Sequence, residues 1–159
     1  MKCIDLLHGM IATGISFSKR KVKNVASEVA ECMLCKEDVY DLCVKQLHMD
    51  VLTEEYVYCF CLDAKGKVIG YFEASHGSIS SSMVPVREII QKCLLAGAVS
   101  FILAHNHPSG DPVPSAEDLA VTKRLVNAGE IIGIPLSDHV IIGESRYCSM
   151  RELQLISST

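Results

Sequence analysis

No apolar run of about 18 residues occurs in this 159-residue chain, so nothing in it is expected to span a membrane. Phosphate-cradling loops are missing too. Neither G-x-x-x-x-G-K-[ST] nor G-x-G-x-x-G is present, which removes the usual signatures of nucleotide binding. Positive charge is scarce: 15 Lys and Arg stand against 19 Asp and Glu, and a net charge of −4 with a pI near 5.8 gives the whole chain no affinity for a phosphate backbone. Aromatics make up 6% of the chain, with no Trp, and none is interleaved with the basic cluster Lys19, Arg20, Lys21 and Lys23. That cluster therefore reads as a solvated segment rather than a surface on which bases stack.

What is present suits one small enzyme domain. With 49% hydrophobic and 21% charged residues, the length allows a single well-buried core and leaves no room for two large domains. Eight Cys would fit a disulfide framework in a secreted chain. The first residues do not support secretion, because Asp5 and His8 interrupt the apolar stretch and no small-residue cleavage site follows. Reduced thiols and a cytoplasmic location are expected instead. Cys32 and Cys35 form a C-x-x-C that leaves a metal or redox role open, whereas Cys59, Cys61 and Cys93 fall on apolar faces and read as small buried hydrophobes.

The segment richest in chemistry is His105 to Asp118, His-Asn-His-Pro-Ser-Gly-Asp-Pro-Val-Pro-Ser-Ala-Glu-Asp. It follows the short apolar run Ala98 to Ala104, whose pattern predicts a central strand buried on both faces. His105 and His107 lie at its exit. Residues two apart on a strand point the same way, so both imidazoles can converge on one ion. Ser115 is placed as a helix N-cap, and Asp118 lies in line with Val121, Leu125 and Ala128 on the core-facing stripe of the helix that follows. A carboxylate there needs a partner, since an unpaired buried charge is costly. A divalent cation held by the two His would supply one. Ser-x-x-Asp also has the form of a capping box, although Glu or Gln is the usual partner.

The remaining pattern predicts a helix over Glu37 to Leu47, strands at Tyr56 to Leu62 and Val68 to Glu73 joined by a hairpin, and a serine-rich loop at Ser78 to Ser82. A helix starting at Pro85 and ending at Gly97 comes next, then the buried strand, a helix from Ala116 to Ala128, and short strands at Ile131 to Ile134 and Leu136 to Ile142. The fold class is α/β, a mixed sheet flanked by helices with its site at strand ends. Residues 1–36 read as an N-terminal extension, with weak helical character at Val25 to Leu34, and residues 37–159 as the folded domain.

His-x-His, seven residues, then Ser-x-x-Asp resembles the JAMM motif of the JAB/MPN metalloprotease superfamily. The longer string His-Asn-His-Pro-Ser-Gly-Asp-Pro, with Asp138-His139 downstream, resembles the RadC-like branch in particular. The similarity runs from about Lys36 to Met150 and takes in Ser75-His76-Gly77 and Arg87-Glu88. This resemblance implies the JAB/MPN fold, similar to that of cytidine deaminases. It implies that His105, His107 and Asp118 bind Zn2+ with a water in the fourth position, and that Ser115 donates to the oxyanion. It also implies a general acid/base Glu just before an aromatic strand. Glu55 is the choice for that role and Glu54 the near alternative, while Glu88 is explained by the dipole of its helix. For Asp138 and His139, support of a ligand and an ordinary hydrogen-bonded role both stay open.

RadC-like proteins usually carry a helix-hairpin-helix region, which is not expected in so short a chain. The function expected is a zinc-dependent hydrolase of peptide or isopeptide bonds acting on a peptide or protein substrate. The alternative is a DNA-repair-associated or mobile-element accessory protein that binds nucleic acid or a repair partner and uses its metal structurally. A metal-dependent nuclease fits the acidic balance less well.

Overall fold

A computed structural model describes residues 36–77 and 84–156. The chain runs α1 (Lys36–Lys45), a 3-10 turn (Met49–Val51), β1 (Tyr56–Leu62), β2 (Val68–His76), α2 (Val86–Ala96), β3 (Ser100–Asn106), α3 (Ala116–Ile132), β4 (Leu136–Ile142) and β5 (Tyr147–Ser149). The strands form one sheet in the order β2-β1-β3-β4-β5. Pairing is parallel between β3 and β4 and antiparallel elsewhere, so the sheet is mixed. The α/β class read from the sequence is what the chain adopts.

The central strand is β3, and Phe101 to Asn106 are all buried. Its two faces feed two cores. Phe101 and Leu103 join Val57, Cys59 and Cys61 of β1, Ile89 and Cys93 of α2, and Val121 and Leu125 of α3. Ile102 and Ala104 join Phe60, Val140 and Ile142 with Val39, Leu42 and Cys43 of α1. Burial on both sides explains why this strand reads as an unbroken apolar run.

Several boundaries differ from the expected ones. His105 is the sixth residue of β3, inside the strand and fully buried, because its pairing with Val57 and Ile141 continues the ladder. Pro85 is the N-cap of α2 and not its first helical residue. Strand β2 runs on to His76, and β5 had no counterpart in the sequence reading.

The short strand expected at Ile131 to Ile134 is a correction. Ile131 and Ile132 are the last turn of α3, and Gly133 caps it in the left-handed conformation at φ 77°. Two consecutive β-branched residues suggested a strand, but helix propensity scales span only about 1 kcal/mol and the packing of α3 overrides them. Gly129 permits that packing: a Cβ there would sit 2.5 Å from the Ile134 carbonyl oxygen.

The expected extension to residue 36, its C-x-x-C, the basic cluster and the serine-rich loop lie outside the described residues, except for Lys36 itself. Among the described residues, no helix is long and apolar enough to cross a membrane.

Candidate metal centre

Two side chains of the β3 exit and one from the first turn of α3 meet at a point. His105 Nε2 lies 3.0 Å from His107 Nε2 and 3.1 Å from Asp118 Oδ1, and His107 Nε2 lies 3.3 Å from Asp118 Oδ2. His105 and Asp118 are buried, and His107 is half-buried. Each imidazole is aimed from behind. His107 Nδ1 donates to the Asp111 carbonyl at 2.7 Å, and His105 Nδ1 faces His139 Nε2 at 2.8 Å.

This donor set fits a divalent cation. A carbonyl only accepts, so His107 carries its proton on Nδ1, and its neutral form presents Nε2 as a bare lone pair. A lone pair 3.0 Å from a second ring nitrogen and 3.3 Å from a carboxylate oxygen is satisfied by positive charge between them, from a proton or from a metal ion. The edges of a tetrahedron with centre-to-ligand distances of about 2.0–2.1 Å measure about 3.3–3.4 Å. The two ring nitrogens, and each of them with the carboxylate oxygen it faces, are spaced close to that geometry. Two imidazoles and one carboxylate leave a fourth position open, the composition typical of hydrolytic zinc sites.

Electrostatics agree with the geometry. Burial pushes the Asp118 carboxyl upward, but hydrogen bonds with His105, His107 and Ser115 outweigh it and hold the group far below the usual carboxylate range. His107 is raised above its ordinary value, chiefly by its hydrogen bond to Asp118, with the Asp111 carbonyl and the charges of Asp118 and Glu55 adding to the effect. Burial and the adjacent His105 hold His139 well below its ordinary value, so it is neutral.

The loop between the two elements is pinned to the β4–β5 turn. His107 N donates to Ile142 O at 2.9 Å, Glu144 N donates to Gly110 O at 2.9 Å, and Arg146 pairs with Asp111 at 3.2 Å. Gly143 makes the contact possible, since a Cβ there would lie 2.5 Å from Gly110 O. A groove of about 420 Å³ opens beside the centre, lined by Asp50, Leu52, Thr53, His107, Ser109 and Glu144, among others.

Ser115 is the N-cap of α3, and with Asp118 it makes a full capping box. Its Oγ accepts from Asp118 N at 3.1 Å and donates to Asp118 Oδ2 at 2.6 Å, while Ser115 N donates to the same oxygen at 2.8 Å. Capping and proximity to the centre are therefore not alternatives. One side chain serves the helix terminus and orients the carboxylate.

The two glutamates differ in place. Val57 pairs with His105 as the last pair of the β1–β3 ladder, and Glu55 stands two residues before Val57, at the entry to β1. Glu55 is half-buried and its charge acts on His107, whereas Glu54 is exposed. Asn106 brackets Glu55 through its two neighbours, accepting from Tyr56 N at 2.8 Å and donating to Glu54 O at 3.0 Å.

Asp138 and His139 separate into different jobs. Asp138 accepts from His139 N at 2.7 Å, Ser149 Oγ at 2.6 Å and Arg151 N at 3.0 Å, tying the chain after β5 to the start of β4. His139 alone touches a candidate ligand. Sequence reasoning missed Asn106 and Thr122. Thr122 was findable: it stands four residues after Asp118, on the same helix face.

Cys59, Cys61 and Cys93 form a second cluster, with Cys93 Sγ at 3.7 Å from Cys59 Sγ and 3.9 Å from Cys61 Sγ. All three are buried members of an apolar core, and burial pushes the Cys59 thiol well above its ordinary value. Hydrogen bonds with Cys59 and Cys93 draw the Cys61 thiol the other way, down to about 4. Three thiolates around a divalent ion would bring net negative charge into that core, which counts against a metal there.

Comparison with known sequences follows the same outline. The sequence model of a RadC-like JAB domain matches residues 33–155. A UPF0758 protein of Desulforamulus reducens is 40% identical over 137 residues, covering 86% of this chain and 60% of that protein. One from Methanococcoides burtonii is 41% identical over 138 residues, covering 87% and 59%. One from Caldanaerobacter subterraneus is 47% identical over 116 residues, covering 73% and 49%. The chain thus spans about three-fifths or less of the length of these curated relatives. The mixed sheet, the paired imidazoles at the end of its central strand and the carboxylate in the turn that follows all lie within the matched residues, and the chain belongs to the RadC-like JAB domain family.

Proposed function

We propose that the chain is a zinc-dependent hydrolase of peptide or isopeptide bonds. The observation that carries this reading is the meeting of His105 Nε2, His107 Nε2 and Asp118 within reach of the Glu55 charge. His105, His107 and Asp118 would hold the ion. When bound, zinc lowers the pKa of a water to about 7 and polarises a carbonyl. Glu55 takes the proton of the attacking water and returns it to the leaving nitrogen, so that an amine and not an amide anion departs.

Ser115 donates to the carbonyl oxygen as negative charge develops there. To do so its hydroxyl gives up Asp118 Oδ2, and the backbone N–H of Ser115 keeps that oxygen paired. The groove beside His107 takes the chain of a peptide or protein substrate. Its polar lining, with Asp50, Thr53, Ser109 and Glu144, suits a backbone rich in donors.

The test joins metal analysis to hydrolysis of a peptide and isopeptide library. Wild type is expected to carry one zinc per chain and to cleave, His105→Ala with His107→Ala to lose both properties, and Glu55→Gln to keep zinc but lose cleavage. Zinc retained by the double variant overturns the metal assignment. Cleavage retained by Glu55→Gln moves the base to Glu54.

A further inference from the structure

Behind His105 lies a buried chain of polar groups. It ends at the Asp118 main-chain carbonyl, which can only accept. Thr122 Oγ1 lies 2.7 Å from that oxygen, 2.6 Å from His139 Nδ1 and 3.0 Å from Met150 Sδ. The hydroxyl has a single proton. Given to the carbonyl, it leaves an oxygen lone pair facing His139 Nδ1, which is then the donor; given to His139 Nδ1, it reverses the chain and puts the His105 proton on Nε2, where no metal could bind. Giving it to the weaker acceptor Met150 Sδ leaves the first direction unchanged. His139 Nε2 is then left as an acceptor toward His105 Nδ1 at 2.8 Å. In this first direction, the one a metal ligand needs, His105 carries its proton on Nδ1 and turns its Nε2 lone pair toward Asp118 and His107.

We propose that Thr122 and His139 are positioning residues that set the tautomer of His105 and hold its Nε2 lone pair ready for the metal. The inference rests on the metal reading of this site and adds two residues to it. His107 reaches the same tautomer through the Asp111 carbonyl, a single step. His105 is buried within β3, its Nδ1 faces the His139 ring rather than a carbonyl, and two side chains connect it to α3 through β4. Groups of this kind behind a ligand typically change metal affinity about 10–100-fold.

The test reads tautomer and affinity separately. Nitrogen-15 NMR of the imidazoles in the metal-free full chain is expected to find His139 in its Nδ1–H form and a proton on His105 Nδ1. A proton on His139 Nε2 overturns the proposal. Zinc affinity, measured by competition with a chromophoric chelator, is expected to weaken about 10–100-fold in Thr122→Val and to recover in Thr122→Ser. Wild-type affinity in a folded Thr122→Val also overturns it. If Thr122→Val does not fold, the wild-type tautomer decides. A wild type that binds no zinc sinks the hydrolase reading, and the tautomer measurement still judges the relay.

Discussion

Asn106 holds the backbone of Tyr56 from the neighbouring strand, accepting its N–H at 2.8 Å across the antiparallel β1–β3 pair. The same carboxamide donates to the Glu54 carbonyl, so the peptide units on either side of Glu55 are fixed by a residue lying between two candidate ligands. Removing the two bonds in Asn106→Ala should cost about 1–3 kcal/mol, at about 0.5–1.5 kcal/mol for each. Urea denaturation measures the loss. Zinc content should stay at one per chain, because neither imidazole depends on the carboxamide.

Stability and zinc binding should respond to pH in opposite directions. In the metal-free protein, His107 is raised above 6.5, so the stability it contributes is fully present below that unfolded value and fades as pH climbs through the folded one. Asp118 is depressed, so its contribution is present above the unfolded carboxylate value of 3.8 and fades only as pH falls through its far lower folded value. Metal-free protein should therefore be most stable between about pH 4 and 6.5 as far as these groups decide it. Zinc displaces the His107 proton, so its affinity should drop about tenfold per pH unit below the raised value. Thermal melts with zinc and with EDTA across this range check both signs, and a zinc-induced shift that grew on acidification would contradict the assignment.

Gly129→Ala should destabilise the fold although Ala is the better helix former by about 1 kcal/mol. The new Cβ would lie 2.5 Å from Ile134 O and 3.3 Å from Leu136 N, both backbone atoms of the turn into β4. Overpacking against backbone typically costs about 1–3 kcal/mol, so a net loss is expected by chemical denaturation.

Asp138→Ala should separate the two members of the Asp-His pair. It leaves the donors of Ser149, Arg151 and His139 without their acceptor, and each such buried loss costs about 1–3 kcal/mol. Thermal stability should fall strongly while the zinc affinity of the folded fraction changes little. A large affinity loss would place Asp138 in the support of His105.

Much of the site was legible because its parts are local. Two-residue alternation on a strand predicts that His105 and His107 share a side, and the N-cap position of Ser115 puts Asp118 in the first turn of the next helix. Central placement of the strand followed from its unbroken apolar run. Local pattern failed at Ile131 and Ile132, where two β-branched residues end a helix whose buried face lies further back at Val121, Leu125 and Gly129. Strand β5 was missed for the converse reason: three residues pair with β4 by position and carry no alternating signal.

The sequence by itself determined which groups meet through short connections: two imidazoles, a cap and a carboxylate within fourteen residues. Only the tertiary structure decided what comes from afar. The packing of β1 beside β3 brings the Glu55 charge to bear on His107 and leaves Glu54 exposed, and the parallel β3–β4 pairing with α3 across it brings Thr122 and His139 behind His105. The physical reason is that side-chain period is a property of one segment, readable from it alone. Register and helix docking are properties of two, settled by burial and hydrogen bonding between residues that no spacing in the chain connects.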